Sequence, residues 1–273
     1  MPPPRYISKQ ANTALKKYVL TGGLDDLFSG IYSAYQFVGR FFRQVLQPPF
    51  EWREIIRQCY EVGYKSLPLI TLTGFVTGMV FTKQSRPSLA VFGATSWLPS
   101  LIAIAMIRAL APLVTALISA GKVGSNIGAE LGSMKVTEQI DAMEVSGTNP
   151  FKFLVVTRVM ATTFMIPVLA MYCAFLGMMG AFLNIYTNEK TSFPTFIAEA
   201  FGQISFLDVG TSMVKATVFG FTIGMVSSYK GYNATQGTQG VGKAANAAVV
   251  VSMFLIFIEE LLIVQMSNWV RIY

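Results

Sequence analysis

Four ionisable residues stand inside otherwise apolar runs of this chain: Arg108, Lys215 and the adjacent pair Glu259 and Glu260. A charge within a membrane-length helix costs about 2.5–3.5 kcal/mol, so each needs a partner, an exit to the headgroups or a ligand. For Arg108 the two readings are a cation that snorkels or pairs across helices, and a contact to a lipid phosphate. Lys215 lies near the outer end of its run and is expected to snorkel outward. One of Glu259 and Glu260 is expected to pair with Arg108 or Lys215 from another helix. The chain has no histidine and only two cysteines, Cys59 and Cys173, far apart in sequence. The usual general base, the commonest metal ligand and a disulfide framework are thereby removed, and no catalytic or metal-binding residue is expected. The 14 methionines are scattered and read as gap-fillers. Gly237–Lys243, GTQGVGK, imitates a phosphate loop, but Ala244 stands where a hydroxyl should hold magnesium, and an apolar span precedes it rather than a strand. The overlapping run through Ala245 mimics a dinucleotide fingerprint and fails on the same context.

A second kind of chemistry sits in the polar stretch Ala120 to Pro150, AGKVGSNIGAELGSMKVTEQIDAMEVSGTNP. Ile127, Leu131, Met134, Ile140 and Met143 recur at helical spacing, and Glu130, Lys135, Glu138, Asp141 and Glu144 supply a charged face. Gly147 is placed to cap the C-terminus and Pro150 to end the helix. Such a segment is either a plain interfacial helix or a coupling helix for a cytoplasmic motor.

These residues need elements to hold them. Of the 273 residues, 53% are hydrophobic and 13% charged, and mean hydropathy is +0.51. The fold class is an all-α integral membrane protein. The opening MPPPRYISKQ lacks the apolar core of a signal peptide. Residues 1–66 read as an N-terminal cytoplasmic and interfacial region, and 67–273 as the membrane domain. In the first part, Leu24 to Leu46 carries Leu27, Ile31, Tyr35, Val38, Phe42 and Leu46 near helical spacing, an amphipathic interfacial helix. A second amphipathic piece runs from Glu51 to Tyr64.

Five spans are expected: about Leu67–Phe81 (short, about 22 Å by helical rise), Leu89–Ala120 bent at Pro99 and Pro112, Phe153–Tyr186, Val209–Ser228 and Ala244–Met266. Gly74/Gly78, Gly124/Gly128/Gly132 and Gly220/Gly224 are small-xxx-small sets that permit close helix packing. With the N-terminus inside, the cytoplasmic side holds nine Lys and Arg before residue 67, four in 121–158 and two at Lys230 and Lys243, against four outside. That bias favours a cytoplasmic N-terminus and an external C-terminus. Residues 120–150 then face the cytoplasm and the 187–208 loop faces outward. The net charge of +7 reflects topology and anionic lipid rather than nucleic acid.

The runs Ala111-Pro112-Leu113-Val114-Thr115-Ala116-Leu117, Ala120-Gly121-Lys122-Val123-Gly124-Ser125 and Ala129 through Glu144, AELGSMKVTEQIDAME, resemble the MlaE family of permeases. Pro150, Pro167 and Gly231-Tyr232-Asn233-Ala234 match as well, and the resemblance extends from about residue 50 to the C-terminus. It implies a homodimeric permease of an ABC transporter that moves phospholipid between inner and outer membranes of a Gram-negative-type envelope. It further implies a cytoplasmic ATPase dimer that binds ATP and Mg, a periplasmic Mce-domain lipid-binding protein, and a location in the bacterial inner membrane. The chain itself would hold no cofactor. Candidate lipid-binding residues are Arg108, Pro112, Leu113, Lys215, Glu259 and Glu260. Candidate ATPase-coupling residues are Glu130, Met134, Lys135, Glu138, Asp141 and Glu144.

One departure matters. Where the family often reads Arg-Glu-Leu-Gly-Pro, this chain reads Arg108-Ala109-Leu110-Ala111-Pro112. Without that carboxylate, an unpaired Arg108 would favour an anionic ligand, while in the helix-paired reading Glu259 or Glu260 replaces the missing acid. The rival classes are an ion-coupled secondary transporter and a lipid-modifying membrane enzyme. The buried charges leave the first open, while the lack of a clustered acid–base set argues against the second.

Overall fold

The computed structural model describes residues 29–48, 50–235 and 237–272, with side chains as far as Trp269. Helix α1 covers 29–45 and lies in a unit of its own that ends at Pro48. Ile31, Tyr35 and Phe42 are exposed within a narrow sector of it, as an interfacial stripe requires. Leu24 and Leu27, at the start of the expected helix, lie outside the described residues.

The second unit, Pro49–Tyr273, is built of helices with no strand among the described residues and contains five helical runs long and apolar enough to cross a membrane. The first joins α2 (Trp52–Val62), a 3-10 turn at Tyr64–Ser66 and α3 (Leu67–Val91) into 40 residues. The boundary drawn after residue 66 therefore falls inside a continuous helical run. Val62 on α2 is buried with Leu154 and Ala161, which ties α2 to the bundle. The run stops at Gly93, whose φ of +67° suits a residue without Cβ. Leu89 thus ends the first span instead of opening the second. Pro99 lies in the first turn of α4 (Leu98–Ala105), where its missing N–H is harmless, so it starts a helix and bends none.

The second span continues through a π-turn at Met106–Leu110, α5 (Ala111–Ser119), a π-turn at Ala120–Gly124 and α6 (Ser125–Val136). After α7 (Gln139–Val145), a π-turn at Phe151–Val156 leads into α8 (Thr157–Glu189). Short α9 (Phe193–Gly202) precedes α10 (Phe206–Tyr232) and α11 (Thr238–Ile272). Helix α10 opens on a capping box: the Ser205 hydroxyl accepts from the Leu207 N–H, and the Ser205 N–H donates to Asp208 at 3.0 Å.

The small residues do what their spacing promised. A Cβ on Gly74 would lie 3.0 Å from the Cys173 carbonyl, and one on Gly78 would overlap the Gly177 backbone, so α3 and α8 cross almost backbone to backbone. Gly220 and Gly224 admit Val159 and Thr162 of α8, while Gly128 sits against Ala245 and Ala248 of α11. Apolar clusters fill the rest. Ile70, Leu98, Ile102, Met106, Leu169 and Phe196 pack at one level; Ala116, Ala120, Ile166, Phe219, Ile223 and Ile256 at another.

The stretch 120–150 is not one surface helix. Its first part, through Val136, extends the second span and packs on α10 and α11. Glu138 then adopts a left-handed conformation, φ 58°, which breaks the helix and turns α7 away. Gly147, at φ +78°, follows the end of α7 in the capping role read for it. Pro150 precedes the next span directly, so it opens a helix as well as closing the loop.

Candidate functional site

Arg108 lies in the π-turn before Pro112. A proline N–H is absent, so the carbonyl four residues earlier, that of Arg108, loses its α-helical donor. The Lys215 ammonium of α10 supplies a replacement at 3.1 Å. The same ammonium is 2.6 Å from Glu260 of α11, with Lys215 buried and Glu260 partly so. The Arg108 guanidinium meets Asp208 at 2.7 Å. Glu259 accepts from the Thr222 hydroxyl. Three helical runs are thus tied through one chain of charges, Asp208–Arg108–Lys215–Glu260, with two positive and two negative members.

The helix-paired reading of Arg108 is the one present in the fold, and its partner is Asp208, 100 residues away, rather than Glu259 or Glu260. Lys215 does not snorkel; at 4% exposure it points into the bundle. The expected pairing of one glutamate with Lys215 is present, through Glu260. Asp208 had been placed in the outer loop. The signal that could have found it is Ser205-Phe206-Leu207-Asp208 before an apolar run, a helix start that carries its acid to the first turn.

A cavity of about 190 Å³ opens beside this network, lined by Arg108, Ala109, Thr211, Lys215, Ser267 and Asn268 among others. The Arg108 side chain keeps 35% of its surface exposed there. Its Nε and the second oxygens of Glu259 and Glu260 are buried without a protein partner among the described residues. Pro112 and Leu113 do not line the cavity. Pro112 is buried, and its effect reaches the site through the Arg108 carbonyl; Leu113 packs against the Ala116–Phe219–Ile256 cluster.

The other polar set divides in two. Glu138, Asp141 and Glu144 are exposed on or beside α7, with Lys135 bonded to Asp141 at 2.9 Å. Val145, absent from the sequence reading, is 91% exposed next to them and adds an apolar contact point to that face. Met134 turns inward, onto the cluster of Leu131, Ile140 and Leu154. Glu130 keeps 54% of its side chain exposed and holds the buried Arg158 of α8 at 2.8 Å. Within this stretch the exposed charged surface is thus α7 and its preceding turn, with Glu130 set apart from it on α6.

The Permease MlaE family profile matches residues 55–266. A probable ABC transporter permease protein of Rickettsia prowazekii is 37% identical over 238 residues, 87% of this chain and 91% of its own length. A protein of the same name in Synechocystis is 35% identical over 236 residues, 85% of this chain and 89% of its own. The chloroplastic protein TRIGALACTOSYLDIACYLGLYCEROL 1 of Arabidopsis thaliana is 32% identical over 222 residues, 81% of this chain and 63% of its own. With the profile running from within α2 almost to the end of α11, and relatives named as ABC transporter permeases matching at this identity, the chain belongs to the MlaE permease family.

Proposed function

We propose that this permease moves a phospholipid between the inner and outer membranes of a bacterial envelope, working as a homodimer driven by a cytoplasmic ATPase dimer. ATP and Mg bind to that partner, and a periplasmic Mce-domain protein exchanges lipid with the permease. The chain sits in the inner membrane with its N-terminus cytoplasmic and its C-terminus periplasmic, in line with the Lys and Arg bias. The observation that carries the lipid reading is the cavity between candidate membrane-spanning helices whose lining includes both Arg108 and Lys215. An anionic phosphate there can share Arg108, whose Nε has no partner among the described residues, while acyl chains lie on apolar helix faces. The Arabidopsis relative's name contains a diacylglycerol lipid, which agrees with a diacyl substrate.

The test is phospholipid movement by the complex reconstituted in vesicles. Movement is expected to require ATP and to fall roughly tenfold in Arg108→Gln, the loss of one charge-assisted contact. Movement driven by an ion gradient without ATP would instead favour a secondary transporter, the reading that the buried Asp208 and the half-buried Glu259 and Glu260 keep physically open.

The face of α7 is assigned to the motor. Glu138→Lys and Asp141→Lys reverse charge at exposed positions and are expected to release the ATPase during co-purification while leaving the permease folded. Retention of the ATPase together with undiminished transport in both variants would remove α7 from the coupling route.

A further inference from the structure

A second cavity, of about 400 Å³, lies between α2 and the α5–α6 junction, far along the second span from Arg108. Its polar lining is Arg57, Gln58, Glu61, Lys122, Asn126 and Glu130. Every carboxylate in or beside it already has a cation: Glu54 has Arg57 at 3.4 Å, Glu61 has Lys65 at 2.6 Å, and Glu130 has Arg158 at 2.8 Å. Lys122 is the cation left over. It forms no ion pair among the described residues, and one of its three ammonium protons is committed, to the Lys65 carbonyl. The Asn126 side chain, exposed at the cavity wall, makes no hydrogen bond among the described residues. The cavity therefore offers one unmatched positive charge and a free amide, a fit for a monoanion with several acceptor oxygens.

The helix that forms one wall says where that anion comes from. Ile56, Tyr60 and Tyr64 follow one another at four-residue spacing on α2 and the turn after it, all more than half exposed, with Tyr60 and Tyr64 stacked at 5.0 Å. Arg57 and Glu61, one position on, face the cavity. Exposed Tyr beside a charged row marks the headgroup level of a bilayer. The charge-rich α2 also precedes the apolar run that begins at Leu67. We propose that this cavity holds the phosphodiester headgroup of a phospholipid from the leaflet on the α7 side of the membrane. Lys122 and Asn126 meet the phosphate, and the acyl chains lie along the Ile56–Tyr60–Tyr64 stripe. That leaflet is cytoplasmic in the orientation proposed above. The site is separate from the Arg108 cavity and shares no residue with it.

The experiment is photo-crosslinking of the complete transporter in vesicles of phosphatidylglycerol and phosphatidylethanolamine. A benzophenone amino acid replaces Ile56, 68% exposed on the stripe assigned to the acyl chains, so that both phosphate contacts stay in place. Phospholipid adducts are expected, to fall roughly tenfold with Lys122→Gln and to persist with Lys122→Arg. Adducts unchanged by Lys122→Gln overturn the proposal. So does capture of the ATPase in place of lipid, or full displacement of the lipid by millimolar inorganic phosphate. Failure to capture lipid while ATP-driven movement continues removes this site alone. Capture with Lys122 dependence but no ATP-driven movement keeps the site and removes the transport reading.

Discussion

Lys215→Met is expected to destabilise the detergent-solubilised permease by about 3–5 kcal/mol, the cost of leaving a buried charge without its partner. Lys215 and Glu260 have 5% and 15% of their side-chain surface exposed and lie 2.6 Å apart. Removing the ammonium also takes away the donor for the Arg108 carbonyl, which Pro112 cannot serve. Two buried groups then lack partners. Glu260→Met alone is expected to cost a similar amount, because Lys215 becomes the uncompensated charge. The double substitution should cost much less than the sum, since well-packed apolar residues replace a buried pair nearly neutrally. Thermal unfolding of the four proteins gives the cycle. Additive losses would mean that the two side chains do not act on each other. If the double variant folds and still carries no phospholipid, the ammonium serves the ligand as well as the fold.

Gly78→Leu should prevent α3 and α8 from docking. A Cβ at Gly78 already overlaps the Gly177 carbonyl, and Gly177 is itself pressed by the Met106 side chain. Overfilling a core that can yield costs about 1–3 kcal/mol. Here the obstacle is backbone inside a regular helix and cannot rotate away, so the expected outcome is loss of the monodisperse folded protein on size-exclusion chromatography. Gly78→Ala should show the same defect in milder form, as a lowered melting temperature. Gly121→Ala is the control: its Cβ would find nothing nearer than the Met253 methyl at 3.8 Å. A melt of Gly78→Ala equal to that of Gly121→Ala would contradict the backbone-to-backbone crossing.

The two predictions differ in how early they could have been made. Gly74/Gly78 and Gly220/Gly224 announce a helix contact in the sequence, because four-residue spacing puts both gaps on one face whatever the partner. The identity of the partner helix, α8 in both cases, came from the fold. The charge network was less legible. Arg108, Lys215, Glu259 and Glu260 stood out as costly in apolar runs, and the Lys215–Glu260 pair was among the pairings expected. Asp208 was passed over because it lies where a loop becomes a helix, and an acid there ordinarily needs only its cap. The Asp208 partner of Arg108 and the inward turn of Lys215 were missed for one reason: each depends on how a neighbouring helix is rotated to supply Asp208 or Glu260. In the 120–150 stretch, the apolar stripe was real, but Glu138 in a left-handed turn divides it into a packed half and an exposed half.

By itself the sequence determined five spans, the close-packing glycines, the end of α7 at Gly147 and the motif block from Ala111 to Glu144 that marks the family. All are written in local spacing, hydropathy or residue order. The tertiary structure alone decided that Arg108 meets Asp208, that Lys215 turns inward to Glu260 and to the Arg108 carbonyl, and that Glu130 holds the buried Arg158 and Met134 joins the bundle while the charged residues of α7 face outward. The physical reason is that hydropathy fixes how long a helix is and how deep it lies. Its rotation and its register against neighbours are set by packing, and those two quantities choose which charges meet.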